Sequence, residues 1–322
     1  MLQPLAGAQV NLQGLSAMAQ RRFDEASALF ERLRSSESDP TITFNLAYVR
    51  AMQGDYTTAD TLLDDTVLAH VPAAIGLKMQ VLHHLAQLDE VIALGKREAQ
   101  HPEVGEEIRG LLASALLDAG DMEECRHYAA MAGDTAVGCA VNGMLALDDA
   151  QNDLALQQFE RALERQPQSA RARLGEGLAL LAQQHYARAT QSLDQAAETL
   201  STHAGSWVAA GWAHLINGEP ELARARFERA KTLEPGFSEA IGGLAMVCIH
   251  EGDITRATHW AEAALRLDRE SLSGRAAQSL LLAHSGNAEA AQAMYRAALD
   301  QPLGLEGKTI AMALARRGLK SV

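Results

Sequence analysis

About every 34 residues the chain returns to the same spacing of a small residue, a large apolar residue and a second small one, as in Ala223, Phe227 and Ala230, followed by Pro235. Self-similarity at this period marks a chain built from stacked supersecondary units, each unable to bury its apolar face alone. Counted from Ala223, the small anchor recurs at Ala26, Ala59, Val91, Cys125, Ala155, Ala189, Ala257 and Ala291. The successive spacings are 33, 32, 34, 30, 34, 34, 34 and 34, which predicts nine repeats.

Four residues after each anchor stands an apolar companion: Phe30, Leu63, Ala129, Phe159, Leu193, Phe227, Ala261 and Tyr295, with Gly95 as the weakest match. Upstream, a small residue such as Gly177, Gly211 or Ala245 lets a second helix approach the first closely. Between the two helices Gly54-Asp55, Gly120-Asp121, Gly218-Glu219, Gly252-Asp253 and Gly286-Asn287 mark a turn. Glycine there takes the left-handed conformation that ends a helix without steric cost.

The stretch from Trp207-Val208-Ala209-Ala210-Gly211 through Gly218-Glu219-Pro220-Glu221-Leu222-Ala223 to Phe227, Ala230 and Pro235 resembles one tetratricopeptide repeat (TPR). The likeness extends over residues 7 to 303 and is strongest in the last five repeats. It implies an all-α, right-handed α-solenoid of about nine helical hairpins. The expected organisation is an N-terminal extension (1–6), four less regular repeats (7–134), five regular ones (135–303), and a C-terminal capping helix and tail (304–322). The spacing of 30 between Cys125 and Ala155 removes about one helical turn, so a shortened helix or altered packing angle is expected near residues 132–137. At the other end, the apolar side of residues 9–20 has no covering repeat and reads as a contact surface or as a face covered by residues 1–5.

Charge and composition narrow the function. A net charge of −13 with no cluster of Lys and Arg argues against a nucleic-acid partner. The basic tail, Lys308, Arg316, Arg317 and Lys320, reads as a complement to a helix dipole. Residues 1–10 lack the pattern of a secretory signal and no run of 18 apolar residues occurs, so a cytoplasmic location and no membrane insertion are expected. The three cysteines fit no disulfide framework or zinc spacing; Cys125, Cys139 and Cys248 fall on inward positions of the repeat register.

Nothing points to catalysis, to a cofactor or to a metal. Gly304-Leu305-Glu306-Gly307-Lys308-Thr309 ends like a phosphate-binding loop, but its first glycine is replaced by Pro302 and a helix, not a strand, precedes it. His84, His250 and His284 share a register position without a carboxylate or third ligand, and read as solvated side chains. Acidic pairs such as Asp64-Asp65, Glu106-Glu107 and Asp148-Asp149 read as solvated faces.

The resemblance implies that first helices line a concave groove in which a partner peptide lies. The inner ridge runs Leu15, Tyr48, Gln80, Ser114, Met144, Leu178, Trp212, Met246 and Leu280. Beside it stand Asn11, Phe44, Gly76, Gly110, Ala140, Leu174, Val208, Gly242 and Ala276. Groove-binding members that hold a terminal carboxylate use Lys, Asn and Arg on such positions; here Asn11 and Asn45 have no basic companions. An apolar groove formed by Phe44, Tyr48, Met144, Leu174, Leu178, Val208, Trp212, Met246 and Leu280 instead suits an apolar or amphipathic protein segment, with Trp212 as anchor. Packing between first helices is the competing reading for the aliphatic positions. A partner segment, the chain's own terminal helix and a second copy are the candidate occupants.

The expectation is therefore a non-enzymatic scaffold or adaptor of bacterial style, serving as chaperone or assembly factor of a secretion, pilus or envelope machine. The alternatives are a structural subunit held by its ends and convex face, and a peptide-sensing regulatory module.

Overall fold

The computed structural model describes residues 3–36 and 38–299, without the side chains of 3–6 and 295–299. The expected capping helix and tail (304–322), the loop-like Gly304–Thr309 stretch and the Tyr295 side chain lie outside the described residues. Among those described there are nineteen helices and no strand.

The helices form nine hairpins and one extra short helix. They are α1 (Gln3–Ala19), α2 (Phe23–Arg34), α3 (Pro40–Met52), α4 (Tyr56–Leu62), α5 (Asp65–His70), α6 (Ala73–His84), α7 (Leu88–Glu98), α8 (Gly105–Ala119), α9 (Met122–Met131), α10 (Ala136–Asp148), α11 (Asn152–Arg165), α12 (Ala170–Ala182), α13 (Tyr186–Thr199), α14 (Ala204–Asn217), α15 (Pro220–Leu233), α16 (Ser238–Glu251), α17 (Ile254–Leu267), α18 (Leu272–His284) and α19 (Ala288–Leu299). Within each unit hairpin helices pack on one another and a second helix packs on the next first helix, as in α12–α13–α14–α15–α16. The chain divides between Val141 and Asn142, within α10, into two compact units.

The close packing expected around the anchors is present. All nine anchors are buried, as are Phe30, Phe159 and Phe227. Each of these rings lies against glycine: Phe30 against Gly14, Phe159 against Gly143 and Gly175, and Phe227 against Gly211 and Gly243. A Cβ on Gly211 would sit 2.7 Å from the Phe227 ring, and one on Gly243 only 2.4 Å from it. One ring is therefore clamped between its own first helix and the first helix of the next repeat.

The third repeat inverts this size pattern. Gly95 replaces the large companion, and Met79, buried on the facing helix α6, puts its Cε 2.9 Å from where a Gly95 Cβ would lie. The bulk has moved to the opposite helix.

The turns follow one rule at all nine positions. Residues 21, 54, 86, 120, 150, 184, 218, 252 and 286 have positive φ, each five residues before an anchor. Glycine supplies five of them, and Arg21, Ala86, Ala150 and Gln184 adopt the same left-handed conformation at φ between 57° and 65°. After three of the glycines an aspartate caps the second helix: Asp55 accepts from the Thr58 N–H, Asp121 from Glu124 and Asp253 from Arg256.

Two irregularities have local causes. Helix α9 has 10 residues where α13, α15 and α17 have 14. The short spacing predicted this, and the chain turns at Gly133, φ 60°. The break after α4 was not foreseen: Asp64, read as a solvated acid, starts α5 by accepting from the Val67 N–H at 2.9 Å. The three cysteines are buried thiols that take part in no disulfide. At the N-terminus Leu12 is 68% exposed, whereas Val10, Leu15 and Met18 pack on the core beneath.

Candidate partner-binding surface

The inner ridge of first helices splits into buried and exposed parts. In α3, Phe44, Tyr48 and Met52 stand at successive i, i+4 positions and so form one stripe. Phe44 is half-buried, Tyr48 is 36% exposed and Met52 45% exposed. On the neighbouring first helices Gln80 of α6 is exposed, whereas Gly76 of α6 is buried with the Glu107 and Leu111 side chains of α8 close to it. His84, also on α6, stacks on Tyr56 with ring centroids 4.3 Å apart. Burial and neighbouring His83 lower the pKa of His84, while His83 pairs with Asp118 at 2.9 Å. The surroundings are acidic, since residues 1–141 hold twenty Asp and Glu against ten Lys and Arg.

In the second unit the expected open stripe is corrected. Met144, Leu174, Leu178, Val208 and Trp212 are all buried. Trp212, expected as the groove anchor, is 2% exposed and packs edge-on to Phe227 at 5.5 Å, within a cluster that includes Val208, Leu244 and Val247. The reason is the glycine content of these first helices. With Gly211 and Gly243 both tight against the same ring, α14 and α16 lie too close to leave the indole in solvent. Met246 is half-buried between two core clusters, and Leu280 is exposed. Asn45 is buried as well.

Polar features that the sequence reading missed also lie on this unit. His214 in α14 is 4% exposed and contacts Asp194 and Glu219. Glu239 of α16 accepts the Leu272 and Ser273 N–H groups, capping α18 in the next repeat. Trp207 donates to the Ser201 carbonyl, with the guanidinium groups of Arg226 and Arg229 over its ring. No periodic sequence signal announces these contacts, because each occurs in one repeat. Among the described residues no group of three His, Cys, Asp or Glu side chains is placed to hold a metal ion, and no helix is long and apolar enough to cross a membrane.

A family model for the tetratricopeptide repeat matches residues 11–67, 141–204 and 208–271, more than half of the chain. This protein belongs to the TPR family. Among solved structures, the APC/C hetero-tetramer Cut9-Hcn1 is similar with a TM-score of 0.51 at 12% identity, covering 98% of this TPR chain and 91% of that one. Pseudomonas aeruginosa pilF is similar with a TM-score of 0.47 at 16% identity over 66% of this chain and 97% of that chain. The yeast Tom70 structure gives 0.42 at 11% identity, covering 98% and 96% respectively. These likenesses concern the fold. No curated protein matches the chain. As a TPR protein it belongs to a family of protein-interaction repeats.

Proposed function

We propose that this TPR protein is a non-enzymatic adaptor that holds an apolar or amphipathic segment of a partner protein on the first helices of its N-terminal unit. The observation that carries this reading is the Phe44–Tyr48–Met52 stripe, where large apolar side chains on the inner ridge remain accessible. The excess of acidic residues in 1–141 favours a segment with basic flanks, both for encounter rate and for register. Met52 is adaptable and Tyr48 amphipathic, a pairing suited to a partner helix laid on a groove. In its widest form the reading is that of an assembly factor for a larger machine.

The test compares proteins captured from host lysate by wild type and by a Tyr48→Glu, Met52→Glu variant whose circular dichroism matches wild type. Loss of one specific partner from the variant supports the reading, and capture unchanged by the substitutions sinks it. Exposed Leu154, Leu222 and Leu267 on α11, α15 and α17 favour a second reading, attachment through the second helices. It predicts loss of the partner from a Leu154→Glu, Leu222→Glu variant instead.

A further inference from the structure

In the second unit a charge cluster centred on buried His214, with partly exposed carboxylates, bridges adjacent repeats. His214, in the last turn of α14, places Nδ1 2.6 Å from Oε2 of Glu219 and Nε2 3.0 Å from Oδ2 of Asp194. An ionised carboxylate can only accept, so both contacts are hydrogen bonds at once only when both ring nitrogens donate, as in an imidazolium. A neutral ring would turn one lone pair against a carboxylate oxygen. No tautomer resolves this.

The carboxylates come from different repeats. Asp194 lies on α13, in the hairpin before α14, and also accepts from Nε and Nη2 of Arg226 at 2.8 and 3.0 Å. Glu219 stands at the N-cap of α15. From α13 the charged groups facing the cluster are Asp194 and, toward Arg226, Glu198. From α15 they are Glu219 and Arg226, with Arg229 over the Trp207 ring. Helix α16 turns apolar Ala240, Leu244 and Val247 toward this hairpin, and its Glu251 is held by Arg224. On α12, Glu176 is engaged by Ser192. With His214 charged, the four groups His214, Asp194, Glu219 and Arg226 sum to zero; with it neutral, they carry one uncompensated negative charge.

We propose that the Asp194–His214–Glu219 cluster is a pH-operated clamp, tying α13 to the α14–α15 hairpin while His214 is protonated and loosening the step between these two repeats when the proton leaves. Burial works against the charged ring, but its hydrogen bonds to Asp194 and Glu219 and their charges outweigh burial, so the pKa of His214 is raised above 6.5. Burial likewise opposes the charge on Asp194, and His214 and Arg226 overcome it, bringing that carboxyl down to about 2. A histidine raised in the folded state contributes stability that is fully present below its unfolded pKa of about 6.5 and lost as pH rises through the folded value. The clamp therefore opens as pH rises through the raised His214 value, while Asp194 stays ionised throughout.

The test is hydrogen exchange, followed by mass spectrometry on the full chain between about pH 6 and pH 8.5 and corrected for intrinsic rates, together with an NMR titration of the His214 ring. The expected result is that protection of α13 through α15 falls at least about fivefold over the range, a typical coupling magnitude. Protection of α16 and α17 is expected to hold, and the fall to track a His214 midpoint above 6.5. In the His214→Gln variant the same segments should be equally protected at both pH values. The clamp is overturned by a His214 midpoint at or below 6.5, or by protection of α13–α15 that is flat in wild type. Should the variant not fold, the wild-type exchange and ring titration decide the matter alone.

Discussion

At the scale of single residues, the repeat is a rule about paired volumes. Phe227 can be large because Gly211 and Gly243 are small, and Met79 can be large because Gly95 is small. The sequence pattern registered Gly95 as a defect, since it compares one repeat with another along the chain, whereas the compensation lies across a helix pair. Gly95→Leu is expected to destabilise the protein by about 1–3 kcal/mol through overpacking against Met79 and Leu112. Met79→Ala in the same chain should recover part of that loss. A double-mutant cycle in urea checks the coupling; strictly additive effects would show that the two side chains do not share the space.

At the scale of elements, the turn carries the period more faithfully than glycine does. The sequence showed five turns by composition, and four others adopt positive φ with Arg21, Ala86, Ala150 and Gln184. Packing of the flanking helices imposes the left-handed residue wherever the anchor spacing requires one. A residue with a Cβ pays about 1–2 kcal/mol there, partly offset because glycine loses more freedom on folding. Ala86 and Ala150 are exposed, so replacing them forfeits no packing. Ala86→Gly and Ala150→Gly should each raise stability by about 0.5–1 kcal/mol, visible as a higher melting temperature. The same substitution at Ala189, a buried anchor inside α13, should lower it.

At the scale of the whole molecule, contacts run between neighbouring helices, and the chain forms two compact units divided within α10. Stability in such a chain is a sum of repeat and nearest-neighbour terms, so all-or-none unfolding is not assured. Calorimetry is expected to resolve more than one transition, and Phe227→Ala to lower one of them while leaving another in place. A single transition that moves as a whole with this substitution would show that the units unfold together. The candidate site was legible in part on this scale. Register assigned Phe44, Tyr48, Met246 and Leu280 to the inner ridge, and these residues keep some exposure. It placed Trp212 there as well, yet exposure depends on how near the next first helix comes, and the glycines at 211 and 243 let it come close.

By itself the sequence determined the helical class, the nine hairpins, the buried anchors and the shortened ninth helix, because each follows from a spacing repeated along one chain. Tertiary structure alone decided what no repeat contains twice: the reversed pair Met79 and Gly95, the burial of Trp212, the extra helix α5, and the joining of Asp194, His214 and Glu219. A period fixes which face of a helix a residue occupies. The distance to the facing helix is set by all the side chains between them, and that distance determines whether the face is core, surface or a site for buried charge.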